Sequence, residues 1–287
     1  HTINNDYTIK LSGLNLTQGS INGWMADDCK SFLRFTGNSY GEILRKNNPF
    51  RISDILSIFG NKNKFSFEIV YRTSCVGEMR ACVVSGRSEE SIIDPSYSYS
   101  DSEQIISNAG ITISHNKAIM CSSEANISTP ISENEWKHVV FVFNQNKDGD
   151  TDNYTNLLDI NDPAYNPIST MRIYVNGVLT SLTNISNTTI KENNSVIYND
   201  IFSNSERMIL NAHYNPNTKD VEGFGNCDIS LIRIYSVALS DSEVLTNYMS
   251  TKNKNSDIEN NELINMQSRN EDNMPTLYLY KNTSNGE

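Results

Sequence analysis

The run Asn144-Gln145-Asn146-Lys147-Asp148-Gly149-Asp150-Thr151-Asp152 sets oxygen-bearing side chains on alternating residues around a glycine. Calcium needs such a pattern, because a loop of this kind folds several carboxylate and amide oxygens inward around one hard cation. Asn146, Asp148, Asp150 and Asp152 are the candidate ligands, and Ca2+ is the cofactor they would hold. Asn144, Asn146 and Asp148 followed by Gly149 imitate the first half of an EF-hand loop. The twelfth position, however, is Thr155 rather than a bidentate Glu, and no helices are expected on either side. The same run also reads as a solvated acidic loop in an Asn-rich chain.

A second chemistry belongs to tyrosines flanked by amides. The ring stacks on the C–H face of a sugar, and Asn, Asp or Gln reads its hydroxyls. Tyr97 and Tyr99 in a Ser-rich stretch, Tyr154 and Tyr165 in an acidic one, and Tyr214 with Asn215 fit this description. Tyr214 and Asn215 rank first, because they are expected in a short loop between two strands. The competing reading for each is a tyrosine packed on its own loop. Hydrolysis of a glycoside requires two or three carboxylates at alternating positions facing one cleft. No Glu-x-Asp-x-x-Glu run or near variant occurs, Glu89, Glu90 and Asp94 have the wrong spacing, and Asp220 and Glu222 are expected to flank a turn. His138 alternates with Trp136 and Val140, which favours a hydrogen-bonded core or semi-core histidine over a base or a ligand. His115 and His213 stand apart from any readable nucleophile motif.

These residues need a frame, and the chain supplies strands. Phe32-Leu33-Arg34-Phe35 runs into the turn-forming Thr36-Gly37-Asn38-Ser39, and Phe65-Ser66-Phe67-Glu68-Ile69-Val70-Tyr71 alternates with period two. That period places Phe65, Phe67, Ile69 and Tyr71 on one face. Val83 to Gly86 and Gly110 to Ser114 add short strands. Asn176-Gly177 between Ile173-Tyr174-Val175 and Val178-Leu179 predicts a two-residue hairpin, whose turn residues both need positive φ. Ser240 with Glu243 three residues on forms a capping box, and Val244, Leu245 and Tyr248 give the helix that follows one apolar face. Ser88–Ser107 and Asn144–Ser169 read as long excursions, where binding specificity tends to sit.

The chain of 287 residues is 37% apolar and 9% aromatic, enough for one large sandwich with a real core. Its net charge of −11 and its lack of a dense Lys/Arg cluster argue against nucleic acid, which is bound by neutralising phosphate. No apolar run is long enough to span a membrane, so membrane insertion is not expected. The five cysteines (Cys29, Cys75, Cys82, Cys121, Cys227) lack metal-type spacing. They read chiefly as reduced core residues, with one or two disulfides left open. Asn-x-Ser/Thr triplets recur, among them those at Asn15, Asn126, Asn153, Asn184, Asn187 and Asn282, but chance matches suffice in a chain this rich in Asn, Ser and Thr. After Ser250 the composition turns to Asn, Lys, Asp, Glu and Ser, which is linker chemistry.

Trp136-Lys137-His138, Tyr174-Val175-Asn176-Gly177, and Ile229 to Tyr235 leading into Leu239-Ser240-Asp241-Ser242-Glu243 together closely resemble the laminin-G-like, concanavalin-A-like jelly-roll family. The resemblance covers roughly Cys29 to Thr251. It implies an all-β, two-sheet antiparallel β-sandwich (a jelly roll) with one short C-terminal helix. Residues 1–27 then read as an N-terminal extension or leading strand, 28–251 as the laminin-G-like domain, 252–274 as a polar linker, and 275–287 as the start of a following module. The segment Leu277-Tyr278-Leu279-Tyr280 after that linker is similar to junctions in phage tail proteins.

The resemblance implies a non-catalytic recognition module, carbohydrate-binding and adhesive, within a larger phage tail or surface protein. Its expected setting is extracellular or the virion surface. Its partners would be a cell-surface glycan or other domains of the same protein, with oligomerisation open. The alternatives are a ligand-free structural spacer and a glycan-cleaving enzyme.

Overall fold

The computed structural model describes residues 7–15, 21–26, 31–52, 64–73, 82–85, 110–114, 116–122, 125–145, 168–186, 190–192, 195–197, 205, 207–215, 218–235 and 237–253. Strands are numbered in chain order. Among the described residues, eight form one antiparallel sheet: β1 (Tyr7–Ser12), β4 (Tyr40–Arg45), β5 (Asn48–Pro49), β7 (Cys82–Ser85), β8 (Gly110–Ser114), β9 (Lys117–Cys121), β10 (Asn126–Pro130) and β16 (Ile209–Leu210). Their order is β1-β4-β16-β7-β8-β9-β10, with β5 paired to β4. A seven-stranded sheet opposes it. It contains β2 (Gly23–Ala26), β3 (Ser31–Phe35), β6 (Lys64–Thr73), β11 (Lys137–Gln145), β12 (Ile168–Val175), β13 (Val178–Ser186) and β19 (Cys227–Tyr235), in the order β13-β12-β11-β6-β19-β3-β2. Two small hairpins, β14 (Ile190–Glu192) with β15 (Ser195–Ile197) and β17 (His213–Asn215) with β18 (Asp220–Glu222), and helix α1 (Asp241–Asn253) complete the set. The result is a two-sheet antiparallel β-sandwich with one C-terminal helix.

Period-two alternation explains the core. Phe65, Phe67, Ile69 and Tyr71 of β6 face inward with Val139, Phe141 and Phe143 of β11, and they meet Ile43, Ile111, Ile113 and Leu210 of the opposing sheet. The ring pairs Phe65–Phe143 and Phe67–Phe141 lie 5.7 and 6.4 Å apart in tilted contact. The outer face of the seven-stranded sheet is buried as well, because Val140, Val142 and Tyr174 pack against Leu239 and Val244 at the start of α1. Cys121 and Cys227 are buried thiols.

Three devices set the site geometry. A bulge between Ile229 and Leu231 in β19 shifts the alternation by one residue. Asp228 and Arg233 therefore both face outward, while Ile229, Ile232 and Ile234 all reach the core. The Asn176-Gly177 turn takes φ of 52° and 79°, as the sequence predicts. The Ser240–Glu243 box closes with Ser240 N–H donating to Glu243 Oε2 at 2.8 Å.

One detail of α1 departs from expectation. Val244 and Asn247 form its buried stripe, while Leu245, expected on the apolar face, is 48% exposed. The hydrophilic groups already on the sheet take up an asparagine there, so the polar Asn247 sits where helical spacing alone would have placed an aliphatic residue.

Candidate functional site

Three polar constellations are built on this frame. The first is closed. Glu68 points outward from the centre of β6 and is fully buried beneath α1. Its Oε1 lies 3.0 Å from His138 Nε2 and accepts from Arg233 Nη1 at 3.1 Å. Its Oε2 accepts from Asn247 Nδ2 at 3.0 Å and from the Tyr235 hydroxyl. Register explains the meeting, because Glu68 stands opposite Val140 on one side and Arg233 on the other. Burial alone would push this carboxyl up. The hydrogen bond to His138 and the Arg233 charge outweigh that cost and hold it below the ordinary value. Burial, with the neighbouring Glu68 charge, pushes the Tyr235 phenol up. The reading of His138 as a hydrogen-bonded core histidine agrees with this geometry, and its buried Nδ1 has no hydrogen-bond partner among the described residues. Glu68 itself escaped the sequence reading. The available signal was a lone carboxylate inside an apolar strand, which must find cations once buried.

The second constellation surrounds Tyr214. The structure places Tyr214 and Asn215 on strand β17, paired to β18 through Tyr214–Val221 and Asn215–Asp220, rather than in a loop. The expectation that Asp220 and Glu222 flank a turn is corrected likewise, because both lie within β18. Asn215 and His213 point to the buried side, and Tyr214 between them is half-buried. The Arg207 guanidinium lies 3.6 Å from the Tyr214 ring centroid and donates to Glu42 Oε1 at 2.9 Å. Asn215 donates to Glu222 and accepts from the Thr218 N–H at 3.3 Å. Its amide thus shapes the hairpin and positions Glu222. Glu42 alternates with the inward-facing Ile43, so the Tyr214 platform stands on the outer side of the eight-stranded sheet.

The third constellation lies on the outer face of the opposite sheet. Asp228 of β19 bridges Arg34 of β3 and Arg72 of β6, its register neighbours. Arg72 also lies over the Trp136 ring at 4.9 Å. Nothing in a single sequence pairs these four residues, which are up to 194 positions apart in their hydrogen bonds.

Of the other candidates, Tyr97, Tyr99, Tyr154, Tyr165, Asn146, Asp148, Asp150 and Asp152 lie outside the described residues. No group of three or more His, Cys, Asp or Glu side chains that could hold a metal ion occurs among the described residues. No helix among them is long and apolar enough to cross a membrane.

No protein-family model and no curated protein sequence matches the chain. Its fold is similar to several solved structures. They include the crystal structure of HCR/D-Sa-GBL1/C (14% identity, TM-score 0.43), the binding domain of botulinum neurotoxin DC in complex with rat synaptotagmin II (13%, 0.41) and the botulinum neurotoxin type G receptor binding domain (12%, 0.41). Each match covers 85% of this chain and 46–47% of the other, so the chain spans about half the length of those structures. A likeness at this level assigns no ligand and no partner to the chain.

Proposed function

We propose that this chain is a non-catalytic recognition module of the laminin-G-like, concanavalin-A-like type that binds a cell-surface glycan as part of a larger surface or phage tail protein. The observation that carries the reading is the Tyr214 platform. A half-buried ring is backed on one face by Arg207, which Glu42 holds in place. A ring fixed before the ligand arrives loses little freedom on binding, which favours affinity from a small contact. Against catalysis stands the placement of Glu68, whose partners enclose it beneath α1 where no substrate meets it.

The test is a glycan array and host-cell binding assay, run with calcium and again with EDTA, on the chain and on Tyr214→Ala. The reading expects binding that the substitution removes while the chain stays folded. Loss in EDTA would support calcium at Asn146, Asp148, Asp150 and Asp152, and survival in EDTA would discard it as a requirement. Silence across glycans and cells would sink the recognition reading.

A structural spacer is the second reading, favoured by one observation. Val178 and Leu182 on the edge strand β13 and Leu245 and Met249 on α1 are all more than 40% exposed. Gly177 brings the turn against Leu245 and Tyr248, so hairpin and helix adjoin. Clustered exposed apolar side chains mark surfaces that meet another protein. Lysine at Leu182 and Leu245 would then disrupt assembly of the longer protein while leaving glycan binding as it was.

A further inference from the structure

We propose that the margin formed by β13 and α1 docks a second copy of this chain, the two β13 strands pairing antiparallel across a two-fold axis. The proposal rests on the surface that favours the spacer reading and gives that surface an occupant. It is independent of the Tyr214 platform, which stands on the other sheet.

Apolar exposure concentrates there. Of the six large apolar side chains exposed among the described residues, only Ile21 lies elsewhere; Val178, Leu179 and Leu182 are on β13, and Leu245 and Met249 are on α1. Leu179 stands opposite Tyr174 and Leu182 opposite Arg172, and the register shift between Ile173 and Tyr174 turns both leucines to the outer face although they are three positions apart. Tyr174 and Arg172 reach Asp241 at the start of α1 from that same face. A Cβ on Gly177 would stand 3.1 Å from Leu245 Cδ1, so hairpin and helix present these side chains next to one another. Clustered apolar exposure of this kind marks a surface that another protein covers.

The backbone beside that strip is the least guarded of the sheet ends. Four strands end the two sheets among the described residues: β1, β10, β13 and β2. β1 carries the exposed Lys10, β10 ends in Pro130, and β2 is four residues long, each a device that discourages pairing with a further strand. β13 runs nine residues, Val178–Ser186, with no charge, no proline and no glycine. Among the described residues its ladder is with β12 alone. An antiparallel strand is complementary to itself across a two-fold axis, so one surface serves both partners. With Leu182 at the axis, Leu182 stands opposite its own copy and all nine residues of the strand pair. Each copy carries a net charge of −11, so association between copies needs a strip that brings no like charges face to face, and β13 supplies one.

The test is sedimentation equilibrium of the full chain over a hundredfold range of concentration, where the proposal expects a monomer–dimer equilibrium. Leu182→Lys and Leu182→Glu each set like charges opposite one another at the axis and should each weaken dimerisation at least tenfold. An equimolar mixture of the two variants should recover the dimer, because lysine then faces glutamate. Recovery on mixing also shows that neither variant is misfolded. Leu245→Lys, on the helix side of the strip, should weaken dimerisation at least threefold. Tyr214→Ala should leave dimerisation unchanged, so this strip and the glycan platform fail or stand separately. A monomer at every concentration, a larger oligomer, variants that dimerise like the parent, or a mixture that stays monomeric would overturn the proposal. So would a monomer that dimerises once residues 254–287 are removed, since that segment would then be the occupant.

Discussion

Glu68 concentrates the physical cost of this fold in one side chain. A buried carboxylate loses its hydration and is tolerated only where cations and hydrogen-bond donors replace the water. His138, Arg233, Tyr235 and Asn247 do so from three separate elements. Glu68→Ala should cost about 3–5 kcal/mol, the usual penalty for leaving the partners of a buried charge uncompensated. Because the folded carboxyl titrates below its ordinary value of 4.5, its contribution is complete above that pH. It is lost as pH falls through the lower folded-state value. Urea unfolding at several pH values should show a constant gap between parent and variant from pH 6 to 8 that narrows below 4.5. A gap that widened on acidification would contradict the assignment. Asn215 sits in a strand rather than in the short loop its sequence context suggests. Asn215→Ala should cost about 0.5–1.5 kcal/mol by removing its hydrogen bonds to Glu222 and the Thr218 amide, and Tyr214→Ala about 0.5–2 kcal/mol through loss of the Arg207 stack.

Among the elements, the β12–β13 hairpin and α1 depend on one glycine. A Cβ on Gly177 would stand 2.9 Å from Tyr248 Cδ1 and 3.1 Å from Leu245 Cδ1, and the residue also needs φ of +79°. Gly37 shares the positive φ, at +56°, but has open space around its missing Cβ. Gly37→Ala should therefore cost only the backbone strain, about 1–2 kcal/mol. Gly177→Ala carries the same strain and a clash, and thermal melts should rank it as the more damaging of the two. The hairpin turn was readable from Asn-Gly. Its contact with α1 was not, because turn chemistry is local and the helix arrives about 70 residues later. The capping box was readable for the same local reason, and Ser240→Ala should cost about 0.5–2 kcal/mol. The bulge in β19 had no visible signal, since Cys227 to Tyr235 reads as one apolar-rich strand in either register.

For the whole molecule, α1 acts as a lid over the second face of the seven-stranded sheet. It covers Val140, Val142 and Tyr174 and delivers Asn247 to Glu68. The sheet in turn holds the helix start. The Tyr174 hydroxyl and Arg172 Nη1 donate to Asp241 Oδ1 at 2.6 and 3.1 Å, and Ser66 Oγ accepts from the Leu239 N–H at 2.9 Å. Each apolar side chain uncovered by truncation forfeits about 1.5–3 kcal/mol of burial. A chain ending at Val237 should therefore be recovered as aggregate or as a species with lowered Tm. A soluble truncation with parental stability would show that the lid contributes little.

Local patterning determined the strand faces of β6 and β11, the Asn176-Gly177 turn, the Ser240 cap, and through them an all-β sandwich closed by a short helix. Each of these follows from residues within a few positions of one another, where sterics and hydrophobic alternation act directly. The sequence also singled out Tyr214 and Asn215, but it set both in a loop and gave their side chains equal freedom. Only the tertiary structure decided that Arg207 backs one and that the β17–β18 hairpin engages the other. It alone brought Glu68, His138, Arg233 and Asn247 to one buried point and joined Arg34, Arg72, Asp228 and Trp136 on one outer face. Those meetings depend on strand order and on a one-residue bulge. Cross-strand neighbours in a sandwich are fixed by the closure of the whole sheet, and no short window of the chain contains them.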